Sequence, residues 1–213
     1  MDSMSTDHVL STTRAVRLKL DLHREVEPEV VYECLRLAIQ APSPSNRQAW
    51  RWIVVRDQQV KDQLGELFRD AGTAYLRNRR AKSDAAGQPN PSRLVDSVQH
   101  LIDVIEQVPV FVIPCVLGRP RGFNAADAAF YGGIFPAVWS FQLALRSRGL
   151  GSTLTTFHLR HEQRAAAILG LPDDVTQVGL LPVAYTTVSD FRPAPRQPVE
   201  EVAFADRWGQ PLA

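Results

Sequence analysis

The run Val108–Cys115 constrains the fold more than any other stretch of this sequence. All of its residues are apolar, so it shows no alternation between a buried side and a solvent-facing side. A strand of this kind is covered on both faces, and the length of the run suits a strand better than a helix. We therefore expect a central strand in a sheet that is flanked by helices.

Other strands are predicted where β-branched and aromatic residues cluster. They cover Trp50–Val55, Gly151–Thr156 and Val178–Tyr185. Apolar residues at helical spacing predict five helices. These cover Pro28–Ala41, a helix capped by Asp57, Ser92–Gln107, Ala125–Arg148 and His161–Leu169. Pro136 lies inside the long helix and predicts a kink there.

The order of these elements predicts an α+β fold with a mixed central sheet flanked by helices. The helices outnumber the strands and do not form regular strand–helix–strand units. We expect a single domain over residues 1–213, since this length supports one substantial core. A variable stretch over about residues 75–93 is expected to form a substrate lid, and the Pro-rich residues 186–213 an extended tail.

Charge and composition argue against several classes of partner. The formal net charge of +1 provides no field that would attract nucleic acid or an anionic membrane. No apolar run approaches the roughly 20 residues that a helix needs to cross a bilayer, and the first residues lack the pattern of a signal peptide. Cys34 and Cys115 are too few for a disulfide framework, so we expect buried, reduced thiols and a cytoplasmic protein.

Two further features have both a structural and a functional interpretation. His158 and His161 stand three residues apart, as metal ligands can, but no carboxylate or thiolate accompanies them at a suitable spacing, so a structural or solvent-facing role is favoured. The basic run Arg77–Lys82 is expected to be a solvated helix end. The alternative is a contact with the phosphate of a nicotinamide dinucleotide, although the sequence contains no glycine-rich dinucleotide fingerprint.

Two short segments suit a planar ligand that carries a phosphate. Near the start, Arg14 and Arg17 can offer guanidinium groups, whose planar forks match phosphate oxygens. The alternative is two solvated arginines on a short helix. Behind the helix that Pro42 ends, short polar side chains in a rigid loop can hydrogen-bond a flat heterocycle, or they can simply cap a turn.

Several segments occur in an order that resembles one known family. They are Thr13-Arg-Ala-Val-Arg17, Ala41-Pro-Ser-Pro-Ser-Asn-Arg-Gln-Ala-Trp50, Gly149-Leu-Gly151 and Leu181-Pro-Val-Ala-Tyr185. In order and spacing they resemble the FMN-dependent nitroreductase family over nearly the whole chain. The second segment is the most specific of them.

The resemblance implies an FMN site with these residues. Arg14 would hold the phosphate, and Arg17 would reach the pyrimidine end of the flavin ring. A basic residue of the tail would complete the phosphate site, with Arg196 matching best and Arg192 second. The remaining contacts would come from Pro42, Ser43 and Asn46, with Gln48 in support, and from the backbone of Leu154, Thr155 and Thr156 near the reactive nitrogen.

The resemblance also implies an activity. The chain would be an enzyme that transfers electrons from NADH or NADPH to a small organic acceptor, such as a nitroaromatic or a quinone, by a ping-pong mechanism. The flavin would carry the chemistry, so no catalytic side chain is expected. Two flavins would lie at the interface of a homodimer. Thr13 and Ala15 depart from the family pattern, and they leave open a flavin-binding or flavin-sequestering protein with little turnover.

Overall fold

A five-stranded sheet lies at the centre of the fold. The computed structural model describes residues 5–85 and 92–212. The strands are β1 (Trp50–Val55), β2 (Val110–Leu117), β3 (Leu150–Ser152), β4 (Val175–Gln177) and β5 (Leu181–Tyr185). Their order is β1-β2-β5-β3, and β4 pairs with β2 beyond the end of β5. The α+β class is therefore confirmed.

Strand β2 occupies the central position that its composition predicted. Phe111, Ile113 and Cys115 point into one hydrophobic cluster, while Val110 and Val112 point into the other. Both faces of the strand are therefore buried, which explains why its sequence shows no alternation. Burial also raises the pKa of the Cys115 thiol to about 12, so the thiol stays protonated.

Helices cover both faces of the sheet. They are α1 (Thr6–Thr12), α2 (Pro28–Ala38), α3 (Gln58–Ala85), α4 (Ser92–Val104), α5 (Asn124–Gly132), α6 (Phe135–Arg146) and α7 (Glu162–Leu169). Residues of α3, α4 and α7 form the first cluster with one face of the sheet. Residues of α2 and α6 form the second cluster with the other face. Helix α6 is important below because both of its ends carry candidate site residues.

The sheet is antiparallel, and the prediction of a mixed sheet was wrong in this detail. Each of the four strand pairings in residues 5–85 and 92–212 runs antiparallel. A helical connection can return the chain to either end of a sheet, so the sequence pattern reveals the strands but not their relative directions. The three-residue strand β4 was not predicted, because it has no pattern of its own.

The long helix predicted over Ala125–Arg148 is two helices. The break falls at Gly133 and Ile134, between α5 and α6. Pro136 lies in the first turn of α6, where its missing N–H costs nothing, so the chain breaks before the proline rather than bending at it.

The ends of helices α2 and α3 also differ from the predictions. Helix α2 ends at Ala38, three residues earlier than expected, in a turn that precedes Pro42. Helix α3 continues to Ala85, because alanine and lysine favour the helix up to that point. The remaining part of the predicted lid, residues 86–91, lies outside the described residues. The Asp57 cap is confirmed, since the backbone N–H of Val60 donates to Asp57 Oδ1 at 2.9 Å.

The stretch Asn124–Arg146 is long and apolar enough to cross a membrane by length and composition alone. A core helix of a soluble protein meets the same test, and here the stretch is broken in two. Only 33% of its most apolar part is buried within the chain. Phe135 and Trp139 are 38% and 41% exposed, one helical turn apart. An apolar face of α5 and α6 is therefore left uncovered.

Candidate functional site

Two groups of candidate residues lie at opposite ends of α6. The group at its C-terminal end, here named the cation end, comprises Arg14, Arg146 and the backbone of Ser189–Arg192. The group at its N-terminal end, here named the loop end, comprises Pro42–Gln48. Helix α6 rises about 1.5 Å per residue, so about 18 Å separates the two ends.

Arg14 contacts the tail at the cation end. Its guanidinium is exposed, and Nη1 donates to the carbonyl oxygen of Arg192 at 3.1 Å. The structure thus joins the two ends of the chain that the sequence pattern assigned to one phosphate site. The contact, however, uses the backbone of Arg192 and not its side chain.

Arg14 and Arg17 do not share a helix, as one interpretation of the sequence supposed. Helix α1 ends at Thr12, and Thr13 is extended with a φ of −70° and a ψ of 128°. The backbone N–H of Val16 donates to the carbonyl of Ser152 at 2.9 Å, which fixes this segment beside β3. The two arginines are therefore spread along an extended segment instead of lying one helical turn apart.

Arg146 is a residue of the cation end that was not among the residues predicted from the sequence. Its side chain is 4% exposed, and Nη2 donates to the carbonyl of Ser189 at 3.2 Å. The guanidinium carbon lies 4.9 Å from the centre of the Phe191 ring. Burial lowers the pKa of Arg146, and the nearby Asp190 opposes that shift. The sequence signal that could have identified Arg146 is a cation one helical turn after Gln142 in a mostly apolar helix.

Arg146 retains an unused hydrogen-bond donor. Its Nε has no partner among the described residues and is buried. Arg14, Gln142, Arg146 and Phe191 line a cavity of about 10 Å³, which can hold about one water molecule. A phosphate does not fit inside this cavity, whereas the guanidinium of Arg14 is exposed to solvent.

Arg17 lies further along the same strip of surface. It is half-buried, and burial lowers its pKa while the neighbouring Tyr75 opposes the shift. Phe157 follows Thr156 directly, and its ring centre lies 5.3 Å from that of Tyr75. Arg17 and Phe157, the residue after the segment Leu154–Thr156, are therefore both close to Tyr75.

The segment Leu154–Thr156 is held through its backbone. Thr155 and Leu180 exchange two backbone hydrogen bonds, both of 2.9 Å. Leu154 and Thr156 are exposed on either side of Thr155. A backbone held in this way presents a fixed edge to a ligand without requiring particular side chains.

The loop end has a strained backbone that its own hydrogen bonds support. Ser45, Asn46 and Gln48 have φ values of 51°, 52° and 47°, in the left-handed region that residues other than glycine rarely occupy. The backbone N–H of Gln48 donates to Ser43 Oγ, and its Nε2 donates to Asn46 Oδ1, both at 3.1 Å. Three such residues in four positions fit the clustering of backbone strain at ligand sites.

The loop end borders an open cavity of about 430 Å³. Ser43 and Gln48 line it together with Trp50, Phe130 and Gly133. A Cβ atom at Gly133 would lie 3.3 Å from Pro44 Cδ, so the loop packs directly on the break before α6. Pro42 and Asn46 are exposed beside this cavity.

Arg196 is not placed at either end of α6. It is exposed, and within residues 5–85 and 92–212 it makes one side-chain hydrogen bond, from Nη1 to the carbonyl of the adjacent Pro195 at 3.0 Å. The prediction that Arg196 joins Arg14 at one phosphate stays a prediction.

The two histidines have different surroundings. His158 is fully buried, and neither ring nitrogen has a hydrogen-bond partner in the described part of the chain. Burial lowers the pKa of His158 to about 4, and the adjacent Gln177 opposes this only partly, so the ring is neutral. His161 Nε2 lies 2.7 Å from Asp70 Oδ2 at the surface. These positions agree with a structural role for His158 and a solvent-facing role for His161.

A model of the nitroreductase family matches residues 10–185 of this sequence. The chain belongs to the nitroreductase family. The match includes Arg14, Arg17, the loop end and the segment Leu154–Thr156, while Arg192 and Arg196 lie beyond it.

Similar proteins agree with this assignment. A protein from Archaeoglobus fulgidus, provisionally named an NADH dehydrogenase/NAD(P)H nitroreductase, is 35% identical over 179 residues, which are 83% of each chain. Iodotyrosine deiodinase 1 of Mus musculus is 26% identical over 90% of this chain and 67% of its own length. An FMN-dependent nitroreductase from Mycobacterium smegmatis, solved with NADPH, shares the fold at a TM-score of 0.67 and 21% identity, covering 94% of this chain and 97% of that chain.

Proposed function

We propose that this member of the nitroreductase family is an FMN-dependent oxidoreductase that works as a homodimer. It passes electrons from NADH or NADPH to a small organic acceptor. The observation that carries the proposal is the division of the candidate residues between the two ends of α6. One end offers cations for a phosphate, and the other offers a rigid polar loop for a ring.

A twofold axis near the middle of α6 would unite the two ends. In a symmetric dimer the same surface patch is used by both copies, so the cation end of one copy meets the loop end of the other. Such an interface would also cover the exposed apolar side chains of Phe135 and Trp139. Two complete sites then form, each with residues from both protomers.

Each group has a defined role in this arrangement. Arg14, with a basic residue of the tail, binds the phosphate through charge-assisted hydrogen bonds. Arg17 places a positive charge at the pyrimidine end of the ring, where it favours an anionic reduced form. Ser43 and Asn46 of the partner's loop orient the ring, and Gln48 orients Asn46 through the hydrogen bond between their side chains.

The chemistry itself belongs to the cofactor. Bound FMN would supply the redox chemistry, two electrons from a nicotinamide being passed on to an acceptor at the same face of the ring, which predicts ping-pong kinetics. The chain's own residues would bind the cofactor, orient its ring and keep water away from it. The similarity to iodotyrosine deiodinase makes a halogenated phenol an acceptor class to test beside nitroaromatics and quinones.

The rival function is a flavin-binding protein with little turnover, because Thr13 replaces a family cation. Thr13 lines the same small cavity as Arg146, so a cation is present in that neighbourhood. Stopped-flow mixing with NADH and NADPH separates the two functions, since only the enzyme loses its flavin absorbance within the time of a catalytic cycle.

The cation assignment can be tested by colour. We expect the purified protein to be yellow and Arg14→Ala/Arg196→Ala to lose most of its bound FMN, measured as flavin absorbance per protein. The matched control Lys19→Ala/Arg207→Ala removes one exposed cation from the same two segments and should retain the flavin. A colourless wild-type protein that cannot be reconstituted with FMN would sink the proposed function.

A further inference from the structure

A second cavity, of about 470 Å³, lies between the outer face of α3 and the turn Phe157–His161. Tyr75, Asn78, Arg79 and Lys82 form one wall. Their spacing of three and four residues places them on one side of the helix. Arg160 supplies the opposite wall. We name this cavity the basic groove.

The basic groove is lined by three cations. Its lining includes Arg79, Lys82 and Arg160, and within the described residues it includes no carboxylate. None of these three cations takes part in an ion pair in that part of the structure. By contrast, the surface cations Arg56 and Arg119 pair with Glu25 and Glu162.

One donor of the groove is both buried and unused. Arg79 Nε is inaccessible to solvent and has no hydrogen-bond partner in residues 5–85 and 92–212. A ligand in the open groove would therefore meet the terminal nitrogens of the Arg79 guanidinium rather than Nε. Arginine offers two parallel donors to a phosphate or carboxylate, and Lys82 adds a mobile positive charge.

The groove begins beside the proposed position of the flavin ring. Tyr75 lines it and also contacts Phe157, which directly follows the segment Leu154–Thr156. The same tyrosine is close enough to Arg17 to affect its pKa. From Tyr75 to Lys82 the helix rises about 10 Å, so the groove leads away from the ring. A substrate on the ring could therefore extend an anionic group along it.

We infer that the basic groove binds the 2′-phosphate of NADPH and makes the enzyme prefer NADPH to NADH. This inference rests on the proposed function, because it assumes a nicotinamide donor at the flavin. The 2′-phosphate carries close to two negative charges and is absent from NADH. It also lies on the adenosine half of the donor, away from the nicotinamide, as the direction of the groove requires.

The test compares two double variants of the FMN-loaded protein. Arg79→Ala/Lys82→Ala removes two cations from the groove. Arg77→Ala/Arg80→Ala removes two exposed cations of the same helix that do not line it. We expect the groove variant to raise the KM for NADPH about tenfold or more and the KM for NADH less than twofold, whereas the control changes neither by more than twofold.

Calorimetry supplies a second measurement that does not depend on turnover. Adenosine 2′,5′-bisphosphate should bind the wild type at least tenfold more tightly than adenosine 5′-monophosphate does, and the groove variant should lose that difference. Equal increases in KM for both donors would assign the groove to the shared pyrophosphate and overturn the inference, as would unchanged KM values.

The two failures can be told apart. If neither donor reduces the flavin of the wild-type protein, the proposed function fails, and the calorimetric comparison still decides whether the groove recognises a 2′-phosphate.

Discussion

The two ends of α6 differ in how completely one chain builds them. At the cation end, Arg146 is buried, the tail is held by two arginines, and a cavity of only about 10 Å³ remains. At the loop end, the polar side chains are exposed and border an open cavity of about 430 Å³. The cation end is thus packed within the chain, whereas the loop end is open to solvent.

Under the proposed function, this difference divides the site between two copies of the chain. Both ends carry candidate ligand groups, but about 18 Å of helix separates them. The uncovered apolar face between them supplies a reason for two copies to associate. Function and assembly should therefore fail together when that face is altered.

The largest effect is expected from Trp139→Glu. A charge on the exposed apolar face would have to be desolvated in the dimer, so the two copies should separate and the flavin should be lost with them. Light scattering after size exclusion measures the mass, and flavin absorbance measures the cofactor. Leu94→Glu is the control, because Leu94 is 42% exposed on α4. A monomer that keeps its FMN would contradict the division of one site between two copies.

A smaller effect is expected from Arg146→Gln, which shortens the buried cation and removes its charge. Loss of a charge-assisted hydrogen bond to Ser189 should weaken FMN binding by about tenfold to a hundredfold. Fluorescence titration gives the Kd for FMN, and limited proteolysis reports whether the tail after Ser189 has loosened. Arg146→Lys should restore part of the affinity. A loosened tail with unchanged affinity would show that the contact between Arg146 and Ser189 does not position the cations that bind FMN.

The smallest effect concerns packing at the two ends. A Cβ at Gly151 would lie 2.8 Å from Thr186 Cγ2 and 3.0 Å from Val16 Cβ, so Gly151→Ala should lower the free energy of unfolding by about 1–3 kcal/mol. At Gly133 the nearest atom would be 3.3 Å away, and Gly133→Ala should cost less than about 1 kcal/mol. Urea unfolding at one protein concentration compares them. Equal losses of unfolding free energy in the two variants would show that the two ends of α6 are packed equally tightly.

Sequence reasoning succeeded where local chemistry determines local structure. Strand β1 has the predicted bounds because β-branched and aromatic residues follow a proline-rich turn, and the Asp57 cap depends only on residues within one turn. The match of the family model to residues 10–185 confirms the resemblance drawn from the segments around Arg14 and Asn46.

The unpredicted parts depend on distant residues. Strand β4 has three residues and pairs with β2 about 60 positions earlier, so its own sequence carries no signal. Arg146 acquires its partners from Ser189 and Phe191, more than 40 residues later. The separation of the two candidate groups could not be predicted from the sequence either, because the order of segments along the chain does not reveal which end of α6 each segment approaches.

The left-handed backbone at Ser45, Asn46 and Gln48 has a consequence for the rate of cofactor exchange. A loop that is already fixed by its own hydrogen bonds loses little conformational freedom when a ring docks against it. Binding of the flavin ring should therefore be fast. Release of the flavin should be limited by dissociation of the dimer rather than by movement of the loop. The residence time of the flavin would then depend on dilution, and weakly associating variants would lose their colour during purification before they lose their fold.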